Sequence, residues 1–364
     1  MKKKMFAALM AMLFLCGCES VELEERSFPL AVGIDLQQME DSQDGEQNLV
    51  VSFDFPDLAQ ISDKGKTTDT PMGMSFEGVD LYHVEKSYEN NTNRLLDFNH
   101  IKAVVLGETL LKDQTHLRRL LLAWERQEDA ARNISLFLAG SSAAKILSLT
   151  KETEGSMGKY LEAMLDSQKD FRQNKIAAIG NLMNQWHNQN ELLLIPVLTE
   201  QGERPVITGY GAVLNFEYCG TLSVKEAMQA FLCQNLLQKF TYEVGASQVA
   251  EISDIRVTSS VEETKDGPVV TVSVAAKGRM KTGQISSGAQ QLQMEQKIER
   301  QIAADLQKTA KKLRQDYGID ITNSFVSLGG QNRKLYWKYK DIPGIYNQKA
   351  RHVFQVDIDL LNWD

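Results

Sequence analysis

Apolar residues along this chain recur at two spacings, every second position and every third or fourth, and the switches between them outline its elements. Phe28 to Leu36 and Leu49 to Phe55 read as strands, and the Gly-, Asp-, Thr- and Lys-rich stretch from Ser62 to Gly73 reads as a surface loop. Ile101 to Leu106 and Ile134 to Leu138 are short apolar strands. Between them, Thr115 to Gln127 predicts a helix that gathers Leu117, Leu120, Leu121 and Trp124 on one face. A helix over Ser142 to Leu149 follows. Two more between Ser156 and Gln189, placed to bridge domains, bury Tyr160, Leu161, Met164 and Leu165, then Ile176, Ile179, Leu182, Met183 and Trp186. The seven-residue apolar run Leu192 to Leu198 predicts a buried strand ending near Pro196.

A composition shift at Gln201-Gly202-Glu203-Arg204-Pro205 marks a domain boundary, and Val206 to Phe216 reads as the next strand. Ser223-Val224-Lys225-Glu226 has capping-box spacing, so a helix is expected to open there and run through Phe240. From Glu251 the pattern becomes strand, strand, long helix, strand, strand. Val270, Val272, Val274 and Ala276 share one strand face, with Thr271 and Ser273 on the other. The long helix, Gln290 to Tyr317, aligns Ile298, Ile302, Leu306, Leu313 and Tyr317, and Gly318 supplies its stop. Phe354, Val356, Ile358 and Leu360 alternate with polar residues in a half-buried closing strand. The expected fold is therefore α+β and multi-domain, with mixed sheets layered by helices and the long C-terminal helix packed on a sheet. Its divisions are a leader over 1–17, one or more α+β domains over 18–200 and a C-terminal α+β domain over 201–364, open to subdivision near 250.

The amino terminus follows a different pattern. Lys2, Lys3 and Lys4 precede an 11-residue apolar run, Met5 to Leu15, which is too short to span a bilayer and right for a signal-peptide core. Leu15-Cys16-Gly17-Cys18 then resembles a bacterial lipobox with Cys18 as the lipid acceptor. Cys16 is expected to leave with the leader, because Leu15 before it is too bulky for the cleavage pocket. Two acyl chains on Cys18 anchor stably where one does not. At 364 residues with 43% hydrophobic and 24% charged residues, the chain is long enough for two or three folded domains. Its net charge of -8 argues against a nucleic-acid partner. Loss of the three leader lysines takes the charge from -8 to -11, so the body is expected to be repelled by anionic lipid and held at the membrane by the anchor alone. Cys219 and Cys233 are expected as free thiols.

Catalytic chemistry finds little support. His83, His100, His116, His187 and His352 lie apart from one another, without ligand spacing for a metal, and each reads as a surface or core-edge side chain. Gly209-Tyr210-Gly211 lacks the Lys and Ser or Thr of a phosphate loop, and Ser327-Leu328-Gly329-Gly330 lacks the Gly of a nucleophile elbow and reads as a turn. Asp357 and Asp359 share a strand face where paired carboxylates could exchange protons, although a solvated face accounts for them more simply. No catalytic residue, cofactor or metal is expected.

The order of segments resembles the Ger(x)C family, the lipoprotein C subunits of spore germinant receptors. The likeness lies in the lipobox, Glu22-Leu23-Glu24-Glu25-Arg26 with Phe28 to Asp35, Asn99-His100-Ile101-Lys102 with Ala103 to Glu108, and Thr208 to Leu214. It extends to the long helix before Gly318-Ile319-Asp320 and to Trp337-Lys338. Glu19 and Ser20 after the lipobox, and Ile321 to Phe325, depart from the family pattern. The resemblance implies a non-enzymatic subunit of three α+β domains on the outer face of the spore inner membrane, assembled with an integral A-type and a transporter-like B-type subunit. A solute-binding lipoprotein of a transporter is the alternative, and it predicts two doubly wound lobes around a cleft.

Overall fold

The structure is a computed structural model that describes residues 25–38, 47–56, 74–127, 131–149, 156–172, 176–188, 190–245, 247–283 and 285–361. The leader, Cys18 and the Ser62 to Gly73 loop lie outside the described residues.

In chain order the first half contains β1 (Arg26–Ser27), β2 (Ala31–Gln38), β3 (Gln47–Asp54), β4 (Met74–Gly78), α1 (Leu81–Thr92), β5 (Leu95–Leu96), β6 (Ala103–Leu106), α2 (Glu108–Lys112), α3 (Gln114–Glu125) and β7 (Ser135–Ala139). Then come α4 (Ala143–Leu147), α5 (Met157–Asp166), α6 (Ile179–Asn184), β8 (Leu192–Gln201), β9 (Arg204–Leu214), β10 (Glu217–Ser223) and α7 (Val224–Cys233). An eight-stranded sheet runs β10-β9-β8-β7-β6-β2-β3-β4. Its centre, β8-β7-β6-β2, is parallel, and hairpins extend both sides. Parallel strands covered on both faces read as continuous apolar runs, which explains the wholly buried Ala103–Leu106 and Ser135–Ala139. One face packs α1, α3 and α6, with Leu117, Leu120, Leu121 and Trp124 buried as their spacing predicts; the other packs α4 and α5. The β8–β9 turn at Gly202 coincides with the composition shift, and the sheet continues on both sides of it.

The second half contains β11 (Lys239–Glu243), β12 (Val249–Thr264), β13 (Gly267–Thr282), α8 (Gly288–Tyr317), α9 (Ser324–Gln331), α10 (Arg333–Tyr339), α11 (Pro343–Lys349) and β14 (Arg351–Leu360). A second sheet runs β11-β12-β13-β14, antiparallel except for the last pair. Its buried face holds Val270, Val272, Val274 and Ala276 against Ile298, Ile302, Leu306 and Leu313 of α8. Each aliphatic side chain buried there contributes about 1.5–3 kcal/mol. The helix also closes the free edge of β14. Glu295 and Glu299 accept from the Leu360 and Ile358 amides at 3.0 Å each, and Gln291 and Arg314 donate to the Leu360 and Ala350 carbonyls at 2.7 and 2.9 Å. The bonded positions at this edge are closed to another strand. The core of this half also takes in Leu192, Leu194, Tyr210, Ala212 and Leu222 of the large sheet, so the two halves share packing.

Several expectations are corrected. β8 runs through Pro196 to Gln201, because Pro196 falls just before Val197 and Leu198, the residues that pair with β7. The Ser223–Glu226 capping box forms as its spacing predicts, but α7 stops at Cys233 instead of Phe240. Asn235 turns left-handed (φ 58°), and Phe240 is recruited into β11 by pairing with Ile252. Three short helices and one strand follow α8 where two strands were expected, and Ser327 to Gly330 lie inside α9 and not in a turn. Helix α1 and strand β4 had no expectation at all.

Candidate functional site

After α8, Gly318 adopts φ 65° and the Ile319 amide donates to the Leu313 carbonyl, so the chain turns sharply and drives Ile319 and Ile321 into the core. Asp320 between them is carried inside as well. Its Oδ1 accepts from the Thr322 amide (2.9 Å), Thr322 Oγ1 (2.6 Å) and His352 Nε2 (2.8 Å). Its Oδ2 accepts from the Ser324 amide (2.8 Å) and Ser324 Oγ (2.5 Å), and Ser324 Oγ in turn meets the Tyr346 hydroxyl at 2.7 Å. The side chains of Asp320 and His352 are 1% and 2% exposed. Burial alone raises a carboxyl pKa, but the bonds from His352, Ser324 and Thr322 outweigh it and hold Asp320 well below the ordinary carboxylate range. This hub ties the turn, α9, α11 and β14 together.

Asparagines extend the hub to the large sheet. The Asn323 side chain accepts from the Leu192 amide (2.7 Å) and donates to the Leu192 carbonyl (3.1 Å), pairing with the start of β8 as a strand would. Asn190 and Asn347, both buried, exchange amide bonds of 2.7 and 3.0 Å, and the Asn190 amide donates to Asn215 Oδ1 at 2.8 Å. The cap formed by α9, α10 and α11 is therefore fixed to both sheets by a buried polar network whose members satisfy one another.

The arrangement holds parts of the fold together. Ser324 and His352 bond opposite oxygens of Asp320 and not each other, and both are buried, so the serine has no histidine beside it and no access to a substrate. His352, expected at the surface or core edge, lies inside because it shares the strand parity of Phe354, Val356, Ile358 and Leu360. That parity was a legible signal; its partner, 32 residues earlier in the chain, was not.

Other candidates are placed apart from the hub. Asp357 and Asp359 are exposed in an open cleft of 710 Å³ with Arg172, Asp254, Arg256 and Lys277, where Lys277 pairs with Asp254 at 3.2 Å. A second groove, 520 Å³, lies between α7, β11 and α8; Tyr242 donates to Asp305 there, and burial followed by the Asp305 charge raises its hydroxyl pKa. Gly209 and Gly211 sit in close strand contacts, where a Cβ would meet the Leu222 carbonyl at 2.6 Å and Leu138 at 2.2 Å. The His83 ring bonds Asp80 at the N-terminal cap of α1, and the His116 backbone amide donates to Asp113 at the cap of α3. Among the described residues no group of His, Cys, Asp and Glu could hold a metal ion, and no helix is long and apolar enough to cross a membrane. Cys219 lies in β10 and Cys233 at the end of α7, both as free thiols; burial pushes Cys219 up to about 11 and Cys233 higher still.

Comparison with known proteins agrees with this architecture. A family model described as "Spore germination protein N-terminal domain" matches residues 19–200, and one described as "Spore germination B3/ GerAC like, C-terminal" matches residues 210–359. Among solved structures, "Crystal Structure of the GerBC protein" is similar in fold, with a TM-score of 0.61 at 16% identity over 95% of this chain and 100% of that one. No curated protein matches the chain. With the two models spanning nearly all of the sequence, the chain belongs to the GerAC-like family of spore germination proteins, the C subunits of germinant receptors, and its role lies in spore germination.

Proposed function

We propose that this protein is the lipid-anchored subunit of a nutrient germinant receptor and works by assembly with integral A-type and B-type subunits. The observation that carries the reading is the family match, which begins at residue 19, directly after Cys18 of the lipobox. Cys18 carries the diacylglycerol, and the folded body stands on the outer face of the spore inner membrane. A fully buried polar hub in which Ser324 and His352 do not meet, together with an open, mixed-charge cleft, supports a role in holding partners over one in turnover. The solute-binding alternative called for two doubly wound lobes. The described residues instead form one eight-stranded mixed sheet that shares its core with a four-stranded sheet.

Replacing Cys18 with Ala tests the reading. Unprocessed precursor, loss of labelling by a fatty-acid analogue and loss of response to one set of nutrients are expected, with germination by stimuli that bypass nutrient receptors intact. Labelling that persists in Cys18→Ala and vanishes in Cys16→Ala would reassign the anchor. A gene deletion that leaves every nutrient response unchanged would remove the receptor role.

A further inference from the structure

The segment Asn332 to Arg351, which holds α10 and α11, carries Arg333, Lys334, Lys338, Lys340, Lys349 and Arg351 against the single acid Asp341, in a chain whose net charge is -8. Helix geometry sorts these residues. Leu335 and Tyr339 of α10 and Tyr346 and Asn347 of α11 face inward, which turns Arg333, Lys334, Trp337, Ile342, Ile345 and Lys349 to solvent. Trp337 is 54% exposed, Ile342 44% and Ile345 40%, three large apolar side chains on two short helices and the link between them. Lys340 Nζ lies 4.4 Å from the Trp337 ring centroid. Lys338 and Arg351 are paired with Glu263 and Asp266; among the described residues Arg333, Lys334, Lys340 and Lys349 form no ion pair.

A tryptophan and two isoleucines interleaved with unpaired cations is the composition of a lipid interface, where rings and aliphatic tips enter the headgroup layer and basic side chains meet phosphate. The centre of a protein–protein contact is instead depleted of Lys. The cap also lies at a particular end of the molecule. β2, β6, β7 and β8 run parallel, so all four begin at one end of the large sheet. Asn190, which leads into β8, holds α11 there through Asn347 and the Pro343 carbonyl. The amino-terminal segment enters β2 at that same end, three strand spacings away, or about 14 Å.

We propose that the outer face of α10 and α11 is a membrane-contact face for an anionic bilayer: Trp337, Ile342 and Ile345 enter the interface and Arg333, Lys334, Lys340 and Lys349 engage its headgroup phosphates. The proposal rests on the lipoprotein reading only for orientation, since the contact itself is built into the fold. It also revises the expectation of a uniformly repelled body. Headgroups sense charge within about 8–10 Å, so a basic end meets the surface while the acidic remainder points away.

The test uses the chain from Glu19 to Asp364, which lacks Cys18 yet contains every core residue from Ala31 to Leu360, so the outcome is independent of lipidation. It is sedimented with vesicles of phosphatidylglycerol mixed into phosphatidylcholine, and with phosphatidylcholine alone. Binding to the anionic vesicles only, weakened by salt, is expected. Lys334→Glu and Lys340→Glu should each lower the partition coefficient about fivefold or more without changing the melting temperature. In a parent chain whose Trp186 and Trp363 are replaced by Phe, brominated lipid should quench the fluorescence, and Trp337→Phe in that background should abolish the quenching, since the remaining Trp124 is buried and faces another core. Equal binding to both vesicle types, no binding to either, charge variants that bind like the parent, or quenching that survives in Trp337→Phe would each overturn the proposal. Trp337-dependent capture of an integral receptor subunit without vesicle binding would assign the face to a protein partner instead.

Discussion

Asp320→Asn is the sharpest perturbation of the polar hub, because it keeps the shape of the side chain and removes only its charge and one acceptor. Each carboxylate oxygen receives a backbone amide, Thr322 on one side and Ser324 on the other. Whichever way the new amide is oriented, its NH2 confronts a backbone N–H that cannot rotate away. An orphaned buried donor costs about 1–3 kcal/mol. The lost charge assistance on the remaining bonds brings the total to about 3–5 kcal/mol. That is a large share of the ~5–15 kcal/mol that holds a domain folded, and at about 2–4 °C per kcal/mol the melting transition should fall by roughly 10 °C. Calorimetry near pH 7 measures it, and amide exchange should locate the loss at Thr322, Ser324 and the start of β8. The carboxyl pKa is lowered by folding, so its stabilisation is present above the ordinary unfolded value of about 3.9 and disappears as pH falls through the lower folded value. The gap between wild type and variant should therefore persist down to about pH 5 and close only in stronger acid. A drop of less than about 2 °C at pH 7, or a gap already gone at pH 5, would refute the assignment of Asp320 as the hub.

Two further outcomes follow from packing and burial. In Gly158→Ala the new Cβ would lie 2.2 Å from the Leu30 carbonyl oxygen, a backbone atom with no freedom to yield, so α5 must shift; a loss of about 1–3 kcal/mol in urea denaturation is expected, and an unchanged midpoint would contradict the close approach. Cys219 and Cys233 should both react with a maleimide after unfolding without reductant, while in the native protein at pH 8 both react slowly and half-buried Cys219 reacts first. A count of zero after unfolding would establish a disulfide.

What the sequence determined by itself is local. The Leu117, Leu120, Leu121 and Trp124 stripe, the valine alternation of β13, the Ser223–Glu226 box and the Gly318 stop all depend on residues within a few positions of one another, and each appears where its spacing places it. The tertiary structure decided what depends on distant partners. Phe240 had helical context but became a strand because β12 offers it hydrogen bonds, and β8 ran on through a proline because its neighbours pair around that position. His352 carried the parity of a buried residue, yet nothing near it names Asp320, and the basic residues of α10 and α11 form a surface only because Tyr346 and Asn347 anchor those helices inward. Periodicity reports which face of an element is apolar; it carries no information about which other element that face will meet, because pairing is chosen by shape, register and hydrogen bonding across the assembled chain.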